Sequence, residues 1–468
     1  MENSAAQSPS LLLFKIPFVT TSLITDIILY FVLIPIWVIL GITQLLGPAL
    51  MIILLIKLLL LHAREKRALK APYLLTSAFV LLMLSMLLSG LHIRESYWTL
   101  VFLRNFILYL SAFCLLLIVC NACRTKEDIS RLITGLTILS LIASLLGILV
   151  ITDILPLRVI TTAPISRILP KTIAQSEFFE KVIHPDFGDY RSILGWRTKR
   201  LSSIFLSPNS LAAALIMILP LQFFLWNHAT KRRRLLLSAS IPLSATCLLF
   251  TYSRGAAVSL PIGFLFFLFL KFQGKLARRK RIAVVITGGI LLLAILGVLK
   301  SGSRFVTDIK PRSDTTRILI FRKSIESLRE SPIFGWGTQR NMEVVDLNPE
   351  IKPLGSHSTY LAYLYRYGLS GFLIFVFIYA IVFFRAIHLS DRRWHSPYYS
   401  NLGLFAGWAF VNNIVQSMVT VMDYDVSILL LIWMIWGLLF TAGSKAEREP
   451  TEIIPDVSGN GQSRKEIL

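Results

Sequence analysis

Predominantly apolar runs of roughly 18 to 22 residues, the length a helix needs to cross a bilayer, recur along the chain from Leu23 almost to Phe440. Twelve spans are predicted, at 23–41, 43–62, 72–91, 99–120, 132–152, 204–226, 234–250, 255–271, 282–299, 358–384, 400–421 and 426–441. The first two are nearly continuous. They are divided at Gly41–Gln44 because one helix of about 40 residues would be too long for any bilayer. Two longer polar segments, 153–203 and 300–357, interrupt the series. In the second, Ile318, Ile320, Phe321, Ile325 and Leu328 fall at helical spacing. They predict an amphipathic helix from Asp314 to Arg329, lying on the membrane surface.

The connections fix the orientation. One set of short loops carries 20 basic residues, among them Arg64, Lys70, Arg124, the run Lys231–Arg234, the run Arg278–Arg281, and Arg393, offset only by Glu65, Glu127, Asp128 and Asp391. The short loops of the other side carry only Arg94 and Arg254. Under the positive-inside rule the basic side is cytoplasmic, and both termini lie there. The expected organisation is a cytoplasmic N-terminus (1–22), helices over 23–152, an external loop (153–203), helices over 204–299, an external loop with the amphipathic helix (300–357), helices over 358–441, and a disordered cytoplasmic tail (442–468). The expected fold class is thus an all-α integral membrane protein, a polytopic bundle of about twelve transmembrane helices. The first apolar run has no small-residue cleavage site and reads as an uncleaved anchor.

Composition agrees. Of 468 residues, 55% are hydrophobic and 16% charged, yet the formal charge is +22. That combination excludes a disordered chain, and a charge excess explained by loop topology gives no ground for nucleic-acid binding. The four cysteines include Cys120-x-x-Cys123 but no second pair to complete a zinc site.

Orientation also filters the candidate chemistry. His62, His228, His388 and His395 fall on the cytoplasmic side, leaving His92, His184 and His357 outside. His357, in Gly355-Ser356-His357-Ser358, sits where a long external loop enters an apolar helix, so a neutral imidazole there could accept a proton. It could equally be a polar helix cap. Arg200, Arg254 and Arg317 mark the same side, near Ser207-Pro208-Asn209, Tyr252-Ser253 and Asp314-Thr315-Thr316 respectively. Each could be an interfacial anchor; together they fit a lipid-borne phosphate. Asp26, Lys57, Arg104 and Arg366 are the intramembrane charges, with Arg104 close enough to its helix end to extend to the interface. They form no chain of carboxylates of the kind a proton-coupled transporter uses. Asp423-Tyr424-Asp425 has metal-binding D-x-D spacing but falls in a short external turn, and reads first as a turn. Gly335-Trp336-Gly337 is likewise a turn, with Trp336 able to stack on a sugar ring.

His357-Ser358, nine residues, then Gly368-Leu369-Ser370-Gly371 resembles the histidine motif of the bacterial O-antigen ligase family, matching every specified position. Arg200 with Ser207-Pro208-Asn209, Thr251-Tyr252-Ser253-Arg254-Gly255, Asp314 to Arg317 and Pro332 to Gly337 resemble the wider ligase and polymerase superfamily, in its order, over roughly 195–385. The resemblance implies an inner-membrane glycosyltransferase with a periplasmic active site. It would move a glycan from undecaprenyl diphosphate to a sugar hydroxyl of lipid A-core, with inversion at the anomeric carbon as direct displacement by the hydroxyl predicts. His357 would be the base, and Arg200, Arg254 and Arg317 would bind the diphosphate without a metal or other cofactor. Asn209, Ser253, Ser358 and Trp336 would support them. Gly368 and Gly371, on the face of His357, permit a helix break or a close approach. The runner-up is an O-antigen or exopolysaccharide polymerase using the same donor. A protein O-oligosaccharyltransferase shares the histidine motif but usually carries a large C-terminal external domain. A lipid-linked glycan transporter is the alternative of another class.

Overall fold

The computed structural model describes residues 22–158, 162–168, 182–193, 196–272, 312–338, 341–344, 350–391 and 396–447. Its helices are α1 (Leu23–Val32), α2 (Ile34–Leu40), α3 (Thr43–Glu65), α4 (Tyr73–Gly90), α5 (Ser96–Ala122), α6 (Lys126–Ile151), α7 (Pro208–His228), α8 (Lys231–Phe250), α9 (Arg254–Lys271), α10 (Arg312–Leu328), α11 (Thr359–Ser390), α12 (Pro397–Ser417) and α13 (Val426–Ala446). Among the described residues, nine helices are long and apolar enough to cross a membrane, or ten if the bent pair α1–α2 is one span.

The expected division near Gly41 is present. Gly41 ends α2 in the left-handed conformation (φ 74°), and a Cβ there would lie 2.4 Å from Ile165 Cγ2. A second bend, of 55°, separates α1 from α2. Pro35 lies in the first turn of α2, where a missing N–H costs least. The expected span 400–421 corresponds to α12, a 21-residue helix that is not among the nine. Its buried Asn412, Asn413, Gln416 and Ser417 lower its apolarity. The span expected at 282–299 lies outside the described residues.

The all-α expectation needs one amendment, because each long polar segment contains a two-stranded antiparallel hairpin. In the first, β1 (Gly188–Ile193) pairs with β2 (Trp196–Leu201), with Asp189 opposite Arg200. In the second, β3 (Asn341–Val344) pairs with β4 (Glu350–Pro353). The polar composition of these segments hides strands that alternate over only a few residues. The amphipathic helix predicted from Asp314 is α10. Its Ile320 is fully buried, whereas Ile318 and Ile325 are exposed.

Two helices form the centre. In α13, 94% of the apolar window is buried, and in α7, 83%, so both are enclosed by other helices rather than lying at the perimeter. α13 packs on α5, α12 on α7, α9 and α11, α11 on α4, and α8 on α6. Polar side chains join the helices internally. Gln222 Nε2 donates to Ser140 Oγ (2.6 Å) and Ser240 Oγ (2.9 Å), tying α6, α7 and α8. Lys57 of α3 pairs with Asp26 of α1 at 2.7 Å. Apolar contact discriminates weakly between helices in lipid, so such bonds help fix which helices meet.

Candidate active site

Four helices begin at one end of the bundle, and the candidate motifs lie at their first turns. Ser207 caps α7 by accepting from Ser210 N, Ser253 caps α9 by accepting from Ala256 N, Ser358 caps α11 by accepting from Leu361 N, and Asp425 caps α13 by accepting from Ser427 N. Each helix start carries roughly half a positive elementary charge and N–H groups without helical partners. Four of them facing one region make it favourable to anions before any arginine is counted.

Arg200 is placed by the β1–β2 hairpin. Gly188 allows the close approach: a Cβ there would lie 2.5 Å from the Arg200 carbonyl oxygen. The half-buried guanidinium reaches two other motif segments, Nε donating to the Thr251 carbonyl at 2.9 Å and Nη2 to Asn209 Oδ1 at 2.9 Å. Arg200, the Ser207–Asn209 turn and the Thr251–Arg254 turn are therefore one assembly. Arg254 is the first residue of α9 and is exposed. A cavity of about 260 Å³ adjoins Arg200, lined also by Gln44, His184, Ser207 and Asp425 among apolar side chains such as Val182 and Phe205. Arg254, Arg317 and His357 do not line it. Burial raises the carboxyl pKa of Asp425, opposed by hydrogen bonds from the Leu206 and Ser427 backbone.

His357 is half-buried and has left-handed backbone, φ 69°. Its turn is pinned on two sides. Gly355 N donates to Ser324 Oγ of α10 at 2.8 Å. Thr359 Oγ1 donates to the Thr420 carbonyl at 2.7 Å and accepts from Met422 N at 3.0 Å. The turn 418–425 is the hub of this end. From its α12 side, Gln416 Nε2 lies 3.4 Å from both Ser253 Oγ and Thr420 Oγ1, and Asp425 Oδ2 accepts from Leu206 N at 3.2 Å. The histidine turn and the arginine turns are thus joined through it. Of the five described non-glycine residues with positive φ, three are Ser203, Tyr252 and His357, one beside each motif segment. Such backbone costs about 1–3 kcal/mol per residue and gathers at functional sites.

The motif glycines have a visible purpose. Gly368 breaks α11 at φ 63°, ψ −166°, and the Pro332–Gly337 turn inserts into the break. Trp336 N donates to the Tyr365 carbonyl (3.1 Å) and Gly337 N to that of Arg366 (2.6 Å). In return Leu369 N donates to the Pro332 carbonyl (2.8 Å) and Ser370 N to that of Ile333 (3.1 Å). Four backbone groups freed by the break are satisfied, as membrane depth demands. A Cβ on Gly368 would lie 2.3 Å from the Ile333 carbonyl oxygen. Gly371 gives the close approach, its Cβ position being 3.2 Å from Ser85 Oγ of α4.

The remaining candidates are placed as follows. Arg317 is half-buried on α10, the helix that holds the histidine turn through Ser324. Trp336 Nε1 donates to the Ser327 carbonyl at 3.1 Å, so its indole is engaged in holding the inserted turn to α10. Asp423 lies in a short 3₁₀ turn, Met422–Tyr424, and its Oδ2 receives Arg366 Nη1 at 2.6 Å and Tyr109 Oη at 2.9 Å. Asp425 points instead to Leu206 and Ser427, so the two carboxylates of the D-x-D are turned to different partners. Arg104 Nη2 donates to the Tyr424 carbonyl of the same turn at 3.1 Å. Sequence reasoning did not find Gln416, Thr359, Thr420 or the Arg366–Asp423 pairing. An intramembrane arginine and an aspartate in an external turn were visible signals, but nothing local joins residues 57 positions apart.

Residues 239–376 match the model of a family described as O-Antigen ligase. The match runs from within α8 to the first part of α11 and includes Arg254, Arg317, Trp336, His357, Gly368 and Gly371; Arg200 lies outside it. No curated protein matches the chain. Residues 239–376 of this chain are thus similar to the O-antigen ligase family.

Proposed function

We propose that this protein is a glycosyltransferase that moves a glycan from undecaprenyl diphosphate to a sugar hydroxyl of lipid A-core at the periplasmic face of the inner membrane. The observation that carries the reading is the joining of the family's histidine turn to the Arg200–Thr251 assembly through one hub at a single end of the bundle. The described basic loops, at 64–70, 124–131 and 231–234, lie at the opposite end, and under the positive-inside rule this supports a periplasmic histidine end.

In this reading His357 accepts the proton of the acceptor hydroxyl as the oxygen attacks the anomeric carbon. The bond to the diphosphate breaks on the opposite face, so the configuration inverts. The negative charge left on the diphosphate is met by Arg200, Arg254 and Arg317 and by the helix N-termini, positioned before the reaction begins. Asn209 orients Arg200, while Ser253 and Ser358 hold the first turns of α9 and α11.

An acceptor competition tests the assignment. The purified protein is reconstituted with a lipid-linked glycan and offered lipid A-core together with a second lipid-linked glycan. Glycan on lipid A-core supports a ligase. Elongated lipid-linked glycan would make the protein a polymerase with the same donor chemistry, and no new bond to either would favour a transporter.

A further inference from the structure

The opposite end of the bundle, remote from the histidine, has two cavities of its own. One, of about 520 Å³, is lined by Arg67, Lys70, Arg124 and Lys445. The other, of about 560 Å³, is lined by apolar side chains of α4, α11 and α13, including Tyr73, Leu74, Phe384 and Phe440. Lys70, Cys120 and Ser444 are common to both, so the cavities adjoin. Tyr73, Leu74 and Phe384 are 84%, 59% and 67% exposed, which leaves the apolar cavity open at the side, toward acyl chains.

The charges around the seam do not cancel. Arg67, Lys70, Arg124, Lys445 and Arg385 are offset by Glu65 and Glu447. Glu65 lies 3.0 Å from Arg67 and 3.1 Å from Arg124, and Glu447 lies 2.9 Å from Arg385. Asp128 is occupied in accepting from the backbone of Arg124 and Thr125. Lys70 is held in place by backbone: Asn121, 7% exposed, donates from Nδ2 to its carbonyl at 2.9 Å and accepts from its N–H at 2.8 Å.

We infer that these two cavities form a binding site for an anionic phospholipid of the cytoplasmic leaflet, its phosphodiester headgroup among Arg67, Lys70, Arg124 and Lys445 and its acyl chains along the Tyr73–Phe384 groove. A basic pocket opening directly onto an apolar lateral groove matches a molecule that carries both features. The groove gives a neutral lipid the same acyl contacts, and the cations give the anionic lipid its advantage. This inference is independent of the proposed transfer reaction.

Native mass spectrometry of the full-length protein, titrated with phosphatidylglycerol, phosphatidylcholine or inorganic phosphate, tests it. The wild type is expected to favour phosphatidylglycerol over phosphatidylcholine about tenfold or more, with phosphate alone binding weakly. Arg67→Gln with Lys70→Gln should abolish that preference. The charge-preserving Arg67→Lys with Lys70→Arg should retain it, as should Arg232→Gln with Arg234→Gln, which removes two exposed cations elsewhere at the same end. Equal binding of the two lipids by the wild type overturns the inference, whether or not the variants fold. So does an unchanged preference in the Arg67/Lys70 glutamine variant.

Discussion

Arg366 and Asp423 form an ion pair of 2.6 Å in which each side chain is 4% exposed, and Tyr109 donates to the same carboxylate oxygen. The pair joins the broken helix α11 to the 418–425 hub, and so holds the frame on which His357 sits.

Removing one member leaves an uncompensated buried charge. Asp423→Ala or Arg366→Ala should therefore cost about 3–5 kcal/mol, while an apolar replacement of both, such as Arg366→Met with Asp423→Leu, should recover most of it. Thermal unfolding in detergent measures both. A small loss in the single variants would mean that the pair does not hold the frame.

Gly368→Ala should be strongly destabilising, because the residue has φ 63° and its Cβ would meet the Ile333 carbonyl oxygen at 2.3 Å. The inserted turn would have to withdraw, exposing Pro332–Gly337 to proteolysis. Gly407→Ala is the control. Its Cβ would meet nothing nearer than 3.5 Å, so stability should stay level or rise by about 0.5–1 kcal/mol from the better helix propensity. Limited proteolysis and melting temperature separate the two.

Asp425 gives a pH dependence with a definite sign. Its folded-state pKa is raised by burial, so between the unfolded value near ~4 and the higher folded value the native state holds more protons. Stability from this residue is therefore greatest at low pH and falls as pH rises through the folded pKa. Asp425→Asn keeps a capping side chain and should flatten that part of the profile. Unfolding midpoints of wild type and variant from pH 4 to 8 provide the comparison.

Arg200→Ala should weaken binding of undecaprenyl diphosphate by about tenfold to a hundredfold, the range for losing a charge-assisted hydrogen bond. Arg200→Lys should restore only part, since an ammonium cannot span Thr251 and Asn209 with a planar fork. Asn209→Ala should give a smaller loss in the same direction. Unchanged binding in Arg200→Ala would remove this arginine from the diphosphate site.

Much of this fold is written in local pattern. Long apolar runs, Gly41 and the apolar spacing of α10 each act within a few residues, and among the described residues they correspond to helices and a bend near the expected places. The glycines of the histidine motif likewise marked the helix break at Gly368. The hairpins were not legible, because their strands are short and polar, and Arg200 owes its position to one of them. Nor was the hub: Gln416 with Ser253, Thr359 with Thr420, and Arg366 with Asp423 meet only once the helices have packed. Nor was the bond from Trp336 Nε1 to the Ser327 carbonyl legible, since it forms only when the inserted turn meets α10.

The most direct measurement is the single-turnover rate of glycan transfer from undecaprenyl diphosphate to lipid A-core by reconstituted wild type and His357→Ala, alongside donor binding. With His357 as general base, transfer should fall by about a hundredfold or more while donor affinity stays within about twofold, a difference of ~0.4 kcal/mol. Transfer by His357→Ala at close to the wild-type rate would contradict the assignment.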